Sequence, residues 1–547
     1  MPARTRWKVV GGGDKGGILV REKKETSSEQ LDARLATHAV VEELQLSGER
    51  LNFRKIEGEG PETGWVSIRL KGKELLVPLD AENVVARKPA ATSTGSKRPY
   101  AIAVVGATGF TGRLMVEHLD ALFTGGHAKD SSKSWAIAGR NLKRLQALAS
   151  SCSIVPEVLV ADSEASLEEV ARQCIVLVAA AGPYSQCGEM VLRACVKNQT
   201  HYVDITGETV WMHDMLERYH KQAKEKGILL VQAAAQVCAI DDINCYLLAQ
   251  KLGPLKQFRE YFFSYGGITG GTFASNTAFM EGMTEEKLKV HNDPFNLGGQ
   301  RSRGVQPGDH DCSETAQDPI YSSLWLQPAY NGHTGGRVIR RSCQLFEEFA
   351  GDSAPRYGED LRVMIRDAAT SKRAGEKATE AMAPIRSVEA AKFAAGLMKM
   401  QVAQGQMPKP GEGPPPETRA QFYSEVFALG EAEDGRWAHV HYTGGEAYEV
   451  TAMAAVTAAL VIVEEEEAIE PLRRGGIVTP AFAFHGTSYV RRLAACAFAV
   501  KNGRRMTFKL SDGKPAEDVL KDATMRKTKS SWQGQAEMSA GKLRAWA

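Results

Sequence analysis

The chain has 547 residues, 43% of them hydrophobic, with 68 basic against 66 acidic side chains and a formal net charge of +2. That length exceeds one ordinary core, since domains cluster near about 100–200 residues, and it predicts two or three of them. With balanced charge and no long run of one sign, composition gives no ground for a nucleic-acid partner.

Nine cysteines are scattered without a C-x-x-C pair or a zinc-ligand spacing. They read as reduced thiols of an intracellular reducing compartment and predict no metal site. No apolar run follows the basic first residues, so a secretory signal is not expected. The longest apolar stretch, Val450 to Val463, ends in four glutamates. It falls short of the roughly 20 residues that span a bilayer, so a buried helix is expected in place of a transmembrane segment.

Residues 1–85 alternate apolar and polar side chains in short runs separated by turn signals, which predicts a small all-β, barrel-like module. Within it, "VVGGGDKGGIL" spells a dinucleotide fingerprint with Gly11, Gly13 and Gly16. The flanking WKVV and ILVRE are both strand-like and no helix follows, so this run is read as a hairpin loop in which glycine supplies positive φ. Residues 86–98, rich in proline, serine, threonine and lysine, read as a linker. The bland role for residues 1–85 is partner docking or stabilisation.

From Tyr100 the pattern becomes five short apolar strands separated by helical segments, which predicts an α/β fold, a Rossmann-type doubly wound parallel sheet over residues 99–255. Residues 256–440 are expected to form an inserted α+β domain that carries substrate or dimer contacts. Residues 441–502 return to the first domain, and residues 503–547 read as a loosely attached polar tail.

The stretch "VVGATGFTGRL" has what the first run lacks: a buried strand before it and an amphipathic helix after it. Gly106 would make the tight turn, Gly109 would admit the pyrophosphate and Gly112 would let the helix pack on the strand, with Thr108, Phe110 and Thr111 completing the turn. The second strand ends in Gly139, Arg140 and Asn141, with no acid for ribose hydroxyls. An arginine there suits a 2′-phosphate, so NADP is favoured over NAD, and a solvated helix start is the alternative. Asp162, after the third strand, falls near the adenine by position.

The fourth strand leads into Ala180, Gly182 and Pro183, whose size suits close approach to a nicotinamide. Tyr184 follows. Its hydroxyl would donate to a substrate carbonyl or hold the carboxamide, or the ring would simply pack a loop. Asp204, Thr206 and Glu208 end the fifth strand, where carboxylates orient substrate or cap a helix. Tyr184 and Glu208 are the candidate catalytic residues.

Together GATGFTGRL, AGRN, AAGPYSQCGE and THYVDITGE resemble saccharopine dehydrogenase-like oxidoreductases, a family similar in turn to trans-acting enoyl reductases. GGTFAS from Gly270, GGRVIRRSCQLF from Gly335, PKPGEGPPPETR from Pro408, GGEAYEVTAMA from Gly444 and GGIVTPAFAF from Gly475 extend the likeness over roughly residues 98–500. The resemblance implies a Rossmann domain with an inserted mixed domain, an NAD(P) cofactor and, in several members, lipid metabolism and lipid droplets. The segment Ala233–Asp242 departs from it: where the family has C-G-F-D-S-I-P-S-D, only Asp242 matches, and Ala235, Val237 and Ile240 replace the glycine, the first aspartate and the proline.

The expected activity is therefore NADP-dependent hydride transfer to or from a carbonyl, imine or enoyl carbon of a small-molecule or lipid substrate. The rival is a catalytically silent scaffold or nucleotide sensor, and a third reading is a protein peripheral on a lipid droplet or organelle membrane. A homodimer is compatible with all three.

Overall fold

The computed structural model describes residues 6–12, 16–70, 73–78, 98–125, 134–349, 354–381, 385–469, 475–495 and 505–539. The expected linker lies almost wholly outside these residues. The chain divides into two units, residues 1–96 and 97–547.

In the first unit β1 (Arg6–Val9), β2 (Val40–Ser47), β3 (Arg50–Glu57), β4 (Thr63–Ser67) and β7 (Leu76–Pro78) form an antiparallel sheet ordered β4-β3-β2-β1-β7. A separate small pair joins β5 (Arg69–Leu70) to β6 (Lys73–Glu74). Alternate side chains such as Val9, Val41, Leu51, Phe53 and Val66 bury a core of their own. The first glycine run follows β1 and leads into no helix. Gly12, Gly16 and Gly17 adopt positive φ, and the chain continues to an antiparallel bridge between Ile18 and Leu35. Residues 13–15 lie outside the described residues; those on either side belong to the β module, where β1 pairs with β2 and β7 instead of forming the hairpin expected.

The second unit holds two seven-stranded sheets. The first contains β8 (Tyr100–Val105), β9 (Ser134–Gly139), β10 (Glu157–Val160), β11 (Cys174–Ala179), β12 (His201–Asp204), β13 (Leu229–Val231) and β20 (Gly476–Val478). Every pair is parallel, in the order β10-β9-β8-β11-β12-β13-β20. Helices cover both faces, which is why these strands read as continuous apolar runs. The order reverses between β8 and β11, so the ligand crevice of such a sheet falls beyond their carboxyl ends.

The helix Ala447–Glu464 packs against β11, β12 and the helix Phe110–Thr124. It is long and apolar enough to cross a membrane, but 78% of its apolar window is buried inside the protein. Glu446 caps it by accepting the N–H groups of Tyr448 and Glu449, both at 2.9 Å.

The other sheet, ordered β15-β16-β17-β14-β18-β19-β21, comprises β14 (Leu255–Phe262), β15 (Ala316–Gln317), β16 (Trp325–Pro328), β17 (Arg362–Ala369), β18 (Ser424–Ala432), β19 (Trp437–Gly444) and β21 (Thr507–Asp512). Only β14 and β17 run parallel. The segment expected to be a loose polar tail supplies its edge strand, β21, and a helix from Glu517 whose Leu520 and Ala523 are buried. Two inward apolar residues are enough to dock a helix whose other faces are polar, and composition averages them away.

Candidate cofactor and substrate cleft

A cleft of about 2280 Å³ opens at the switch point, between the carboxyl ends of the parallel strands and the second sheet. Gly106 turns the chain out of β8 with φ +84°, and a Cβ there would lie 2.8 Å from the Ala180 carbonyl carbon. Gly109 precedes the helix Phe110–Thr124, whose start has no side-chain cap, so its first N–H groups are offered to an anion. Gly112 lies behind the turn, where any Cβ would strike the Gly106 carbonyl. Gly106 and Gly112 thus do what their spacing predicted, and the uncapped helix start at Gly109 fits a pyrophosphate.

Thr108, Gly109, Phe110 and Thr111 line the cleft. Phe110 also anchors the turn, with its ring edge-on to Tyr448 at 5.7 Å and under the Arg419 guanidinium at 5.4 Å. The PKPGEGP stretch, for which the sequence offered no role, lies over this region. Arg113 donates to the Gly411 carbonyl at 3.1 Å and Gly413 rests on the Phe110 ring.

Arg140 lines the cleft beyond β9 and is exposed. Arg144, one helical turn on and missed in the sequence, lines it too. Among the described residues neither guanidinium is held by a hydrogen bond or ion pair, so both are open to a 2′-phosphate. Asn141, expected beside the cofactor, uses its side chain to accept the Arg144 N–H at 3.1 Å as the cap of the helix Leu142–Ala149. Asp162 lines the cleft, with its carboxylate accepting from Ser166 at 3.2 Å. Ala180, Gly182 and Pro183 line its middle.

The two candidate catalytic residues line the cleft, with their polar atoms bonded to backbone groups. The Tyr184 hydroxyl donates to the Ala179 carbonyl at 2.7 Å and accepts from the Ile205 N–H at 3.3 Å. Burial and the neighbouring Asp204 push its ionisation far above the usual range. Glu208 accepts the N–H groups of Tyr184 at 2.8 Å and Ser185 at 2.9 Å, capping the helix Tyr184–Asn198 and not the helix that follows it. Both side chains hold the ends of the strands together, a role that residue type alone does not separate from proton transfer.

The departing segment Ala233–Asp242 also has a structural account. Asp204, whose carboxyl burial raises to about 7, accepts the Ala233 and Thr206 N–H groups and so fixes the turn after β13. Ala235, Gln236 and Val237 line the cleft. Asp242 is remote from it, accepting from Ser342 at 2.6 Å and from the Ala481 N–H at 2.8 Å. The matching aspartate is therefore a brace between helices.

A polar cluster that the sequence did not single out closes the cleft from the side of the second sheet. The helix Gly332–Phe349 presents His333, whose Nε2 lies 2.9 Å from Thr209 Oγ1 and whose Nδ1 lies 2.9 Å from Asp311 Oδ2. Arg337 donates to the other Asp311 oxygen at 3.0 Å. Burial alone would raise the Asp311 carboxyl, but the His333 hydrogen bond and the Arg337 charge hold it far below the usual range. Burial and Arg337 lower His333, against the pull of Asp311. His291 stacks on His333 with ring centroids 4.1 Å apart. The five residues span over a hundred positions of sequence, which no periodicity connects.

The parallel sheet is Rossmann-like, and the likenesses the chain shares support an NADP-dependent oxidoreductase. Residues 102–231 match the saccharopine dehydrogenase NADP-binding domain. The chain is 27% identical over 435 residues to the trans-acting enoyl reductase of Mycobacterium ulcerans, covering 75% of this chain and 99% of the relative. It is 26% identical over 421 residues to the enzyme of the same name from Mycobacterium bovis, covering 73% and 96%. Among solved structures, apo saccharopine dehydrogenase (L-Glu forming) from Saccharomyces cerevisiae is similar at 13% identity, over 75% of this chain and 99% of that one, with a TM-score of 0.36. The resemblance read from the motifs is borne out: the chain carries a saccharopine dehydrogenase-type NADP-binding domain and is homologous to trans-acting enoyl reductases.

Proposed function

We propose that this chain moves hydride between NADP(H) and a carbonyl, imine or enoyl carbon of an apolar small molecule or lipid. The observation that carries the reading is one cleft that runs from the glycine turn, past Ala180 and Gly182, to polar side chains of the second sheet domain. Bound there, the nicotinamide supplies two-electron transfer. The helix start at Gly109 would hold the pyrophosphate, and Arg140 with Arg144 the 2′-phosphate. Phe279, Met280, Ile385, Leu397 and Met398 give the outer cleft apolar walls suited to a lipid-like substrate. The homology to trans-acting enoyl reductases makes an enoyl carbon the first acceptor to try.

A silent nucleotide sensor is the second reading, favoured by the engagement of Tyr184 and Glu208 with backbone. NADPH oxidation by the purified chain, followed over ketone, imine and enoyl thioester acceptors, separates the two. Turnover of one class supports the enzyme, and tight NADPH binding with no turnover supports the sensor.

A further inference from the structure

We infer that Thr209, His333 and Asp311 form the proton relay of this cleft, with the Thr209 hydroxyl as the group that meets the substrate. The inference rests on the oxidoreductase reading above. Thr209 follows Glu208 beyond the carboxyl end of β12, and Thr334, next to His333, donates to the Gly207 carbonyl at 3.1 Å. The triad is thereby fixed near the strand ends where a nicotinamide lies in a doubly wound sheet. Thr209, His333 and Asp311 all line the cleft, and 22% of the His333 side chain is exposed to it.

The order of partners sets the direction of proton movement. Asp311 is a carboxylate and accepts from His333 Nδ1–H, which turns Nε2 toward the Thr209 hydroxyl. The charged and titratable groups facing His333 are Asp311 from the loop before β15, Arg337 from its own helix and His291 from the helix Glu285–Asn292. Arg337 is in turn committed to the His291 and Asp293 carbonyls and to Asp311, so it orients the acid without reaching substrate.

During reduction the substrate carbon gains hydride from the reduced nicotinamide and the electron pair of its C=O, C=N or C=C bond moves to the far atom. That atom takes the Thr209 proton. Thr209 takes one from the protonated His333 Nε2, and solvent at the cleft restores the imidazolium. The sum is one hydride and one proton added to the substrate and oxidised nicotinamide released. Reduction accordingly slows as pH rises through the His333 titration, and oxidation slows as pH falls through it.

The test uses the full chain and four variants, His333→Ala, Asp311→Asn, Thr209→Val and Thr209→Ser. The acceptors are crotonyl N-acetylcysteamine thioester and acetophenone, and NADPH affinity is measured separately by calorimetry. His333→Ala and Thr209→Val are expected to keep NADPH affinity within about threefold while kcat falls by about a hundredfold or more, in the range of general acid catalysis. Thr209→Ser should stay within about tenfold of the unaltered chain. Added imidazole should restore part of the His333→Ala rate, and the pH limb should vanish.

Nitrogen NMR of the imidazoles gives a readout without turnover: one ring with a strongly held Nδ1–H, lost in His333→Ala and altered in Asp311→Asn. Unchanged kcat and pH profile in His333→Ala, or absence of imidazole rescue, overturns the relay, whereas NADPH binding by the unaltered chain without turnover of either acceptor overturns the oxidoreductase reading on which it rests. Failure of the unaltered chain to bind NADPH at all overturns that reading as well.

Discussion

Two glycine-rich stretches of this chain begin with paired valines and end in different structures. Gly12, Gly16 and Gly17 adopt positive φ in a loop that leads to a short β-bridge, whereas Gly106 turns a buried strand into the start of a fifteen-residue helix. The first run fits the dinucleotide fingerprint more literally. The second has the strand and the uncapped helix start that give a phosphate something to bind, and those elements, more than the glycine spacing, make the site.

That contrast can be broken by paired substitutions. Gly112→Ala drives a Cβ into the Gly106 carbonyl and the Ala107 Cα. With overpacking costing ~1–3 kcal/mol, NADPH affinity should fall by about tenfold to a hundredfold in a calorimetric titration. Gly17→Ala forces a Cβ against the Leu35 carbonyl at φ +124°. It should lower the melting temperature of the first unit and leave the NADPH affinity unchanged, and a matching loss of affinity would return the cofactor to the first run.

The charge at the far end of the turn sharpens the comparison. Arg144→Ala should weaken NADPH by about tenfold, the scale of one hydrogen bond to a charged group, and leave NADH unaffected in the same assay. Glu208→Gln removes the charge that caps the helix Tyr184–Asn198 and should cost about 0.5–2 kcal/mol in denaturant unfolding. A shift of the activity pH profile in that variant would instead make Glu208 a proton carrier.

The smallest expected effect is on stability against pH. Burial raises the Asp204, Asp242 and Glu260 carboxyls to about 7 in the folded chain. They keep protons that the unfolded chain releases above about pH 4, so their contribution is complete below that value and is lost as pH rises through about 7. The melting temperature should be a few degrees higher near pH 5 than near pH 8, and Asp204→Asn should narrow the gap.

Much of the first sheet was legible because its five leading strands and their helices are local in sequence, each announced by an apolar run and a turn. Its last strand, Gly476–Val478, was not, because three residues arriving from over two hundred positions away carry no period. The glycine turn was legible because its strand, turn and helix are contiguous in sequence. Tyr184, Glu208 and Asn141 were placed correctly at strand ends, but their partners decide their roles, and those partners are backbone groups. Arg144 was within reach of the sequence, since one helical turn after Arg140 returns to the same face. Thr209, Asp311 and His333 meet only because the segment that carries Asp311 and His333 folds back over the strand ends.

The turn at Gly106, with Arg140 and Arg144 behind it, is expected to select NADP. The measurement that tests it most directly is calorimetric titration of the unaltered chain and Arg140→Ala with NADPH and NADH. NADPH should bind at least tenfold more tightly than NADH, with the difference mostly lost in the variant. Equal affinity for both cofactors in the unaltered chain, or an unchanged NADPH affinity in Arg140→Ala, would contradict it.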